Sequence, residues 1–162
     1  MGMLSTWLEK MAVTGALGRL IPLELGLLAA YDRAIGHVGV PGTADQLAQF
    51  RNEHAKHLEE LIAGVEAAAR LVPQEVRDSL RTRHGGWEGA LATDRTEEAL
   101  GEVLAAERKV SEAWGRIRMK PGREISGLIS RFRDDEDRHL RFLETLIRTR
   151  VWEQAENPDL AG

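Results

Sequence analysis

Apolar residues recur at three- and four-residue intervals through four long stretches of the chain, and this pattern constrains the fold more than any other feature. The spacing is typical of amphipathic α-helices with one buried face, and no stretch alternates with the two-residue period of a strand. Proline, glycine and capping residues separate the stretches. The predicted helices cover about 22–38, 43–71, 96–119 and 123–151.

The connections between these helices predict their topology. A few residues join the first helix to the second and the third to the fourth, so we expect two antiparallel hairpins. About two dozen residues join the hairpins, which is long enough for a crossover along the whole bundle. Residues 1–18 predict a short extra N-terminal helix, with Pro22 either a kink or the first turn of the next helix. We therefore expect an all-α single domain over 1–152 and a loose C-terminal tail over 153–162.

Composition excludes several classes of function. The 162 residues include no cysteine, which rules out a disulfide framework, a thiolate metal site and a cysteine nucleophile. The net charge of −4 argues against nucleic acid as a partner. Charged residues interrupt the most apolar stretch, 11–35, so we predict neither a membrane span nor a signal peptide. The expected location is the cytoplasm.

The second and fourth helices contain an internal repeat. The segment 50–58 reads FRNEHAKHL and the segment 132–140 reads FRDDEDRHL, and the two align without a gap at an offset of 82 residues. Glu24 and Glu107 form a weaker echo in the first and third helices. Two similar hairpins packed about a pseudo-twofold axis would bring equivalent residues together at the centre.

Each predicted helix has one polar interruption on its otherwise apolar core-facing side. Each interruption lies 13 to 19 residues from its hairpin turn, so at 1.5 Å per residue all four fall at one level, about 20–28 Å from the turns. A buried polar layer of this kind is either an internally hydrogen-bonded cluster or a metal site. Oxygen and imidazole donors without sulfur suit iron, manganese or zinc, and two ions balance three carboxylates better than one. The candidate ligands are Glu24, His54 with His57, Glu107, and Glu136 with His139.

With these residues the chain resembles the ferritin-like superfamily of four-helix carboxylate proteins, and most closely its small bacterial domains of uncharacterised function. That family carries a lone Glu on each of two helices and Glu-x-x-His on each of the other two. Glu24 and Glu107 match the lone glutamates, and Glu136 with His139 matches Glu-x-x-His. The resemblance covers about 20–150 and implies a ferritin-like bundle holding two iron ions, with manganese or zinc as alternatives.

The second helix departs from the family pattern, because His54 stands where the repeat and the family have Glu. Three interpretations follow. His54 is a ligand in a site of three glutamates and three histidines, which is the interpretation that its core-facing position favours. Otherwise Glu53 pairs with His57 as the ligand pair, or the site has decayed and holds one metal ion or none.

Two hypotheses about function remain open. The first is a dinuclear iron or manganese protein that oxidises ferrous iron or consumes peroxide or oxygen, as the resemblance implies. The second is a non-enzymatic, stress-related or interaction module that forms homo-oligomers such as a dimer or binds a partner. Its polar layer would be structural, decayed or occupied by a redox-inert ion such as zinc. Tyr31 and Trp114 lie two turns from the lone glutamates, and we expect both to pack in the core. A hydrogen bond from Tyr31 to the polar layer is the alternative.

Overall fold

The computed structural model describes the backbone of residues 2–69, 96–117 and 123–156, and the side chains within 15–65, 96–117 and 127–153. Its ordered elements are all helical, as the sequence predicts. They are α1 (Gly2–His37), α2 (Pro41–Ala69), α3 (Thr96–Gly115), α4 (Arg123–Thr149) and α5 (Val151–Glu156). None of the helices described here combines the length and the apolar character that crossing a membrane would require.

The first helix is continuous, so the prediction of a separate short N-terminal helix is wrong. Pro22 lies inside α1, with its ring exposed to solvent. A proline there removes one backbone hydrogen bond. Buried side chains on both sides of it, among them Leu20, Ile21 and Leu27, pack into the same core. This shared packing explains why the helix passes through the proline instead of ending there.

The helices pack as two antiparallel hairpins. Three residues connect α1 to α2, and Arg51 of α2 forms an ion pair with Asp32 of α1 at 2.6 Å. At the other end of the chain, α4 runs back along α3, and the Trp114 and Phe132 rings meet edge to face with centroids 5.1 Å apart. Contacts between α1 and α3, and a smaller contact between α2 and α4, join the hairpins into a four-helix bundle.

The direction of α3 determines how the hairpins are related. The Thr96 hydroxyl donates to the His37 carbonyl at 3.2 Å, which places the start of α3 beside the end of α1. Arg33 and Glu102 pair one turn further along, at 2.9 Å, so α3 runs opposite to α1 and parallel to α2. Ala69 and Thr96 therefore lie at opposite ends of the bundle. The predicted crossover between them lies outside the described residues.

The core consists mainly of aliphatic residues with a few large aromatic ones, including Tyr31, Phe50 and Trp114. The chain ends its fourth helix at Thr149, and Arg150 adopts the left-handed backbone conformation with φ of 49°. This turn starts α5, whose Trp152 is buried in the core. The helix extends four residues past the predicted domain boundary at 152, and 157–162 lie outside the described residues.

Candidate metal centre

The six residues predicted from the sequence meet in the middle of the bundle. His57 is 3% exposed and the other five are fully buried. Every helix of the bundle contributes at the position where its apolar pattern is interrupted. The bundle therefore contains a polar layer inside an apolar core, made of Glu24, His54, His57, Glu107, Glu136 and His139.

His54 occupies the centre of this layer. Its Nδ1 lies 2.9 Å from Oε2 of Glu24, and its Nε2 lies 3.0 Å from Oε1 of Glu107. The same Nε2 is 2.9 Å from Nδ1 of His139. The imidazole thus connects the two lone glutamates, which lie on different hairpins. Of His54 and Glu53, the two alternatives on α2, His54 has the central position. Glu53 lies at the outer side of the layer, where it contacts Nε2 of His139.

Two groups of side chains in this layer can hold a metal ion. The first group is Glu24, His54, His57 and Glu136, and the second group is His54, Glu107 and His139. Within each group, one potential ligand atom per residue lies within 4.8 Å of all the others. His54 belongs to both groups, since its two ring nitrogens face in different directions.

Several buried acceptor atoms in the layer have no hydrogen-bond partner. They include Oε1 of Glu24, Nδ1 of His57 and Oε2 of Glu107, together with both carboxylate oxygens of Glu136. A buried carboxylate without a hydrogen-bond donor loses its hydration and gains no replacement interaction, which costs about 1–3 kcal/mol or more. Cations bound by these groups of side chains would provide the missing partners. The hydrogen-bonded cluster considered from the sequence is therefore incomplete as it stands.

Two carboxylates at the outer side of the layer orient His57 and His139, each from the opposite hairpin. Nε2 of His139 lies 2.7 Å from Oε2 of Glu53, and Nε2 of His57 lies 3.1 Å from Oδ2 of Asp135. A carboxylate that accepts the Nε2 proton leaves Nδ1 as the free lone pair, and metal-binding histidines commonly have such a partner. In both histidines, Nδ1 is the nitrogen that belongs to the polar layer.

Asp135 is a residue that the sequence analysis missed, and Glu53 has a different role from the one considered there. The signal was present in the repeat, because Glu53 and Asp135 occupy equivalent positions at the offset of 82 residues, as do His57 and His139. Each acid contacts the histidine of the other hairpin. The repeat alone identifies equivalent positions but not this exchange of partners.

Tyr31 is both a core residue and a hydrogen-bond donor to the layer. Its ring is fully buried, and its hydroxyl donates to Oε1 of Glu107. Burial, reinforced by the negative charge of Glu107, raises the pKa of Tyr31 well above its usual value. The phenol therefore keeps its proton and directs Glu107.

The electrostatics of the histidines differ. Burial alone lowers the pKa of His54, but the charge of Glu107 and hydrogen bonds to Glu107 and Glu24 outweigh it and raise the pKa well above the usual value. Burial and the neighbouring His54 lower the pKa of His57. A neutral imidazole is the form that binds a metal ion. His57 is thus ready for coordination, whereas His54 carries the positive charge of the metal-free layer.

The two central glutamates also differ. Burial raises the pKa of Glu107, but the positive charge of His54 and the hydrogen bond from its ring outweigh this effect and lower the pKa. For Glu136, burial and the nearby Glu107 outweigh His54 and raise the pKa well above its usual value. Without a cation, Glu136 is therefore the carboxylate that takes up a proton. A bound metal ion would place a positive charge next to the Glu136 carboxylate and favour its ionised form.

No protein-family model matches the chain, and the comparison with curated proteins gives no match. The interpretation of this centre therefore depends on its own geometry. That geometry is a buried set of oxygen and imidazole donors, drawn from four helices and able to hold a metal ion.

Proposed function

We propose that this chain is a ferritin-like metal protein with a dinuclear iron or manganese centre in the middle of the bundle. The observation that carries the proposal is the set of unpartnered acceptor atoms on Glu24, His57, Glu107 and Glu136, all buried in the same layer. Acceptors without donors at the centre of an apolar core are best explained by a bound cation.

The donor set supports this choice of metal. Three carboxylates and three imidazoles without sulfur suit iron or manganese, and zinc is the redox-inert alternative. The two groups that share His54 provide two neighbouring positions. Two divalent ions would also balance the three carboxylates Glu24, Glu107 and Glu136, whereas the metal-free layer has only the proton of His54 and the one that Glu136 takes up.

When bound, such a centre would supply one-electron steps for the oxidation of ferrous iron or the consumption of oxygen or peroxide. The residues of the chain prepare it for this chemistry. Asp135 and Glu53 hold the terminal histidines with Nδ1 turned inward. Tyr31 holds Glu107, and the aliphatic core above and below the layer keeps bulk water away.

The test is metal content per chain after separate loading with iron, manganese and zinc, measured by elemental analysis. We expect close to two iron or manganese ions per chain, and iron-loaded protein should consume oxygen or peroxide. The Glu136→Gln variant should lose bound metal, because it removes a charge shared by the centre. Glu144→Gln on the same helix is the matched control, since Glu144 is exposed and contacts Arg108 instead.

One observation favours a second candidate, a helical interaction module with a structural polar layer. His54 already connects Glu24 and Glu107 by hydrogen bonds, so part of the layer is satisfied without metal. This candidate predicts no bound iron or manganese after loading, with at most a redox-inert ion such as zinc, so the Glu136→Gln and Glu144→Gln variants should have the same iron and manganese content. That outcome would overturn the proposed metal function.

A further inference from the structure

The internal repeat gives each half of the centre an equivalent set of residues. His57 corresponds to His139 at the offset of 82 residues, and the lone glutamates Glu24 and Glu107 form the weaker echo. The remaining pair is His54 and Glu136, so among these six residues the one chemical difference between the halves is an imidazole in place of a carboxylate. A symmetric centre would bind two ions with similar affinity, and this difference breaks the symmetry.

Most of the potential ligand atoms of the first group have no hydrogen-bond partner. The atoms without a hydrogen-bond partner are Oε1 of Glu24, Nδ1 of His57 and both carboxylate oxygens of Glu136. Nδ1 of His57 lies 3.8 Å from Oε1 of Glu136, so these free atoms face one another. A cation could reach all three residues while His54 keeps its hydrogen bonds to the lone glutamates.

The donors of the second group are mostly engaged with one another. Oε1 of Glu107 accepts from Tyr31 and lies 3.0 Å from Nε2 of His54. Nδ1 of His139 lies 2.9 Å from the same nitrogen of His54. Only Oε2 of Glu107 is left without a partner. A cation there can reach Oε2 of Glu107, but it must displace His54 from Nδ1 of His139 before it gains that second ligand.

We propose that the two metal positions are unequal, with the Glu24–His57–Glu136 side binding the first divalent cation and the Glu107–His139 side binding a second, weaker one. His54 sets the inequality, because its ring already occupies the donors of the second position. The inference rests on the proposed metal function, and it concerns the order and strength of binding, not the reaction.

The experiment is a stepwise titration of metal-free protein with Co²⁺, followed by calorimetry and by the visible absorption of the bound ion. We expect two separate steps, with the first at least about tenfold tighter than the second, the lower end of the effect of outer-ligand changes on metal affinity. Two indistinguishable steps would overturn the inference while leaving the metal function intact. No binding at all would overturn both.

Glu24→Gln and Glu107→Gln are matched variants, because the same change is made at the lone glutamate of each hairpin. Glu24→Gln should weaken the first step by about 100-fold or more. Glu107→Gln should remove the second step and weaken the first much less than Glu24→Gln does, as it changes no ligand of that position. Equal effects of the two variants, or the reverse order, would contradict the assignment.

A third variant tests the role of His54 directly. His54→Glu restores the carboxylate of the repeat and frees the second position from the imidazole. We expect its two binding steps to approach each other in affinity. Circular dichroism of each metal-free variant checks that it folds. The unmodified titration decides the main question even if a variant does not fold.

Discussion

At the scale of single residues, the central feature is one imidazole in a place where the repeat has a carboxylate. With Glu at position 54, four buried carboxylates would face one another, and without metal their repulsion would raise their pKa values and favour protonation of some of them. His54 instead supplies a positive charge next to Glu24 and Glu107 and lowers the cost of the empty layer. The same ring then competes with a metal ion for Glu107 and His139. If the layer binds metal as proposed, His54 therefore lowers the metal affinity while it stabilises the metal-free protein.

Tyr31 provides a direct test of the electrostatics around Glu107. It is the one tyrosine of the chain, so the near-ultraviolet absorbance of tyrosinate reports on it alone. Because burial raises its pKa in the folded state, the folded protein should show no tyrosinate at pH about 10, the usual midpoint of the free side chain. Protein unfolded in denaturant should titrate at that midpoint.

The sign of the linked stability effect follows from the same shift. The folded state holds the phenol proton more tightly than the unfolded state, so the contribution of Tyr31 is fully present below pH about 10 and is lost as the pH rises above it. Denaturant unfolding across this range measures the loss. The Tyr31→Phe variant, which has no phenol to titrate, should lack this component. A folded-state midpoint equal to the unfolded one would contradict the buried hydrogen bond.

At the scale of elements, the long first helix contains a proline whose helix-breaking effect is outweighed by the core packing of the residues around it. Pro22→Ala restores a backbone donor at an exposed position of α1. Proline in a helix interior costs about 3 kcal/mol relative to alanine, and the loss of proline rigidity in the unfolded chain offsets part of the gain. We expect the free energy of unfolding to rise by about 1–2 kcal/mol, as measured by urea denaturation.

Leu23→Ala is a useful comparison for that variant, because Leu23 is the next residue and is partly buried against the core. It should lower stability, since it removes apolar contacts while leaving the backbone bonds of α1 unchanged. If Pro22→Ala were also destabilising, the proline ring would have a packing role that its exposure does not suggest.

At the scale of the whole molecule, the polar layer couples all four helices of the bundle. A metal ion that contacts side chains from both hairpins binds the folded state alone, so it adds directly to stability. With free Mn²⁺ at about 100 times its dissociation constant, we expect the free energy of unfolding to rise by about 2.7 kcal/mol. Thermal unfolding with and without a chelator measures the difference.

This stabilisation should depend on pH. Protons compete with the metal ion for Glu136, whose pKa is raised well above its usual value, and at lower pH also for His57, so the gain should decline as the pH falls. Mg²⁺ is the control ion, because it prefers oxygen ligands and should stabilise much less at the same concentration. Equal stabilisation by Mg²⁺ and Mn²⁺ would indicate a general charge effect instead of a site with imidazole ligands.

The periodicity of the chain was sufficient to predict an all-α bundle and to single out the six residues of its polar layer. Helical spacing is a local property, so a polar residue on an apolar helix face is visible without any knowledge of the neighbouring helices. The distance of each such residue from its hairpin turn then placed all six at one level. The resemblance to ferritin-like proteins rests on these same residues.

The contacts within the layer depended on tertiary packing. Side-chain directions at the contacts between separate helices determine which ring nitrogen of His54 meets which glutamate. They also determine that Asp135 and Glu53 each contact the histidine of the opposite hairpin. The same is true of the unbroken first helix, where burial on both sides of Pro22 overrides a local helix-breaking signal. Local spacing determines which side chains enter the core, but the packing of four helices determines which of them find partners and which stay free for a metal ion.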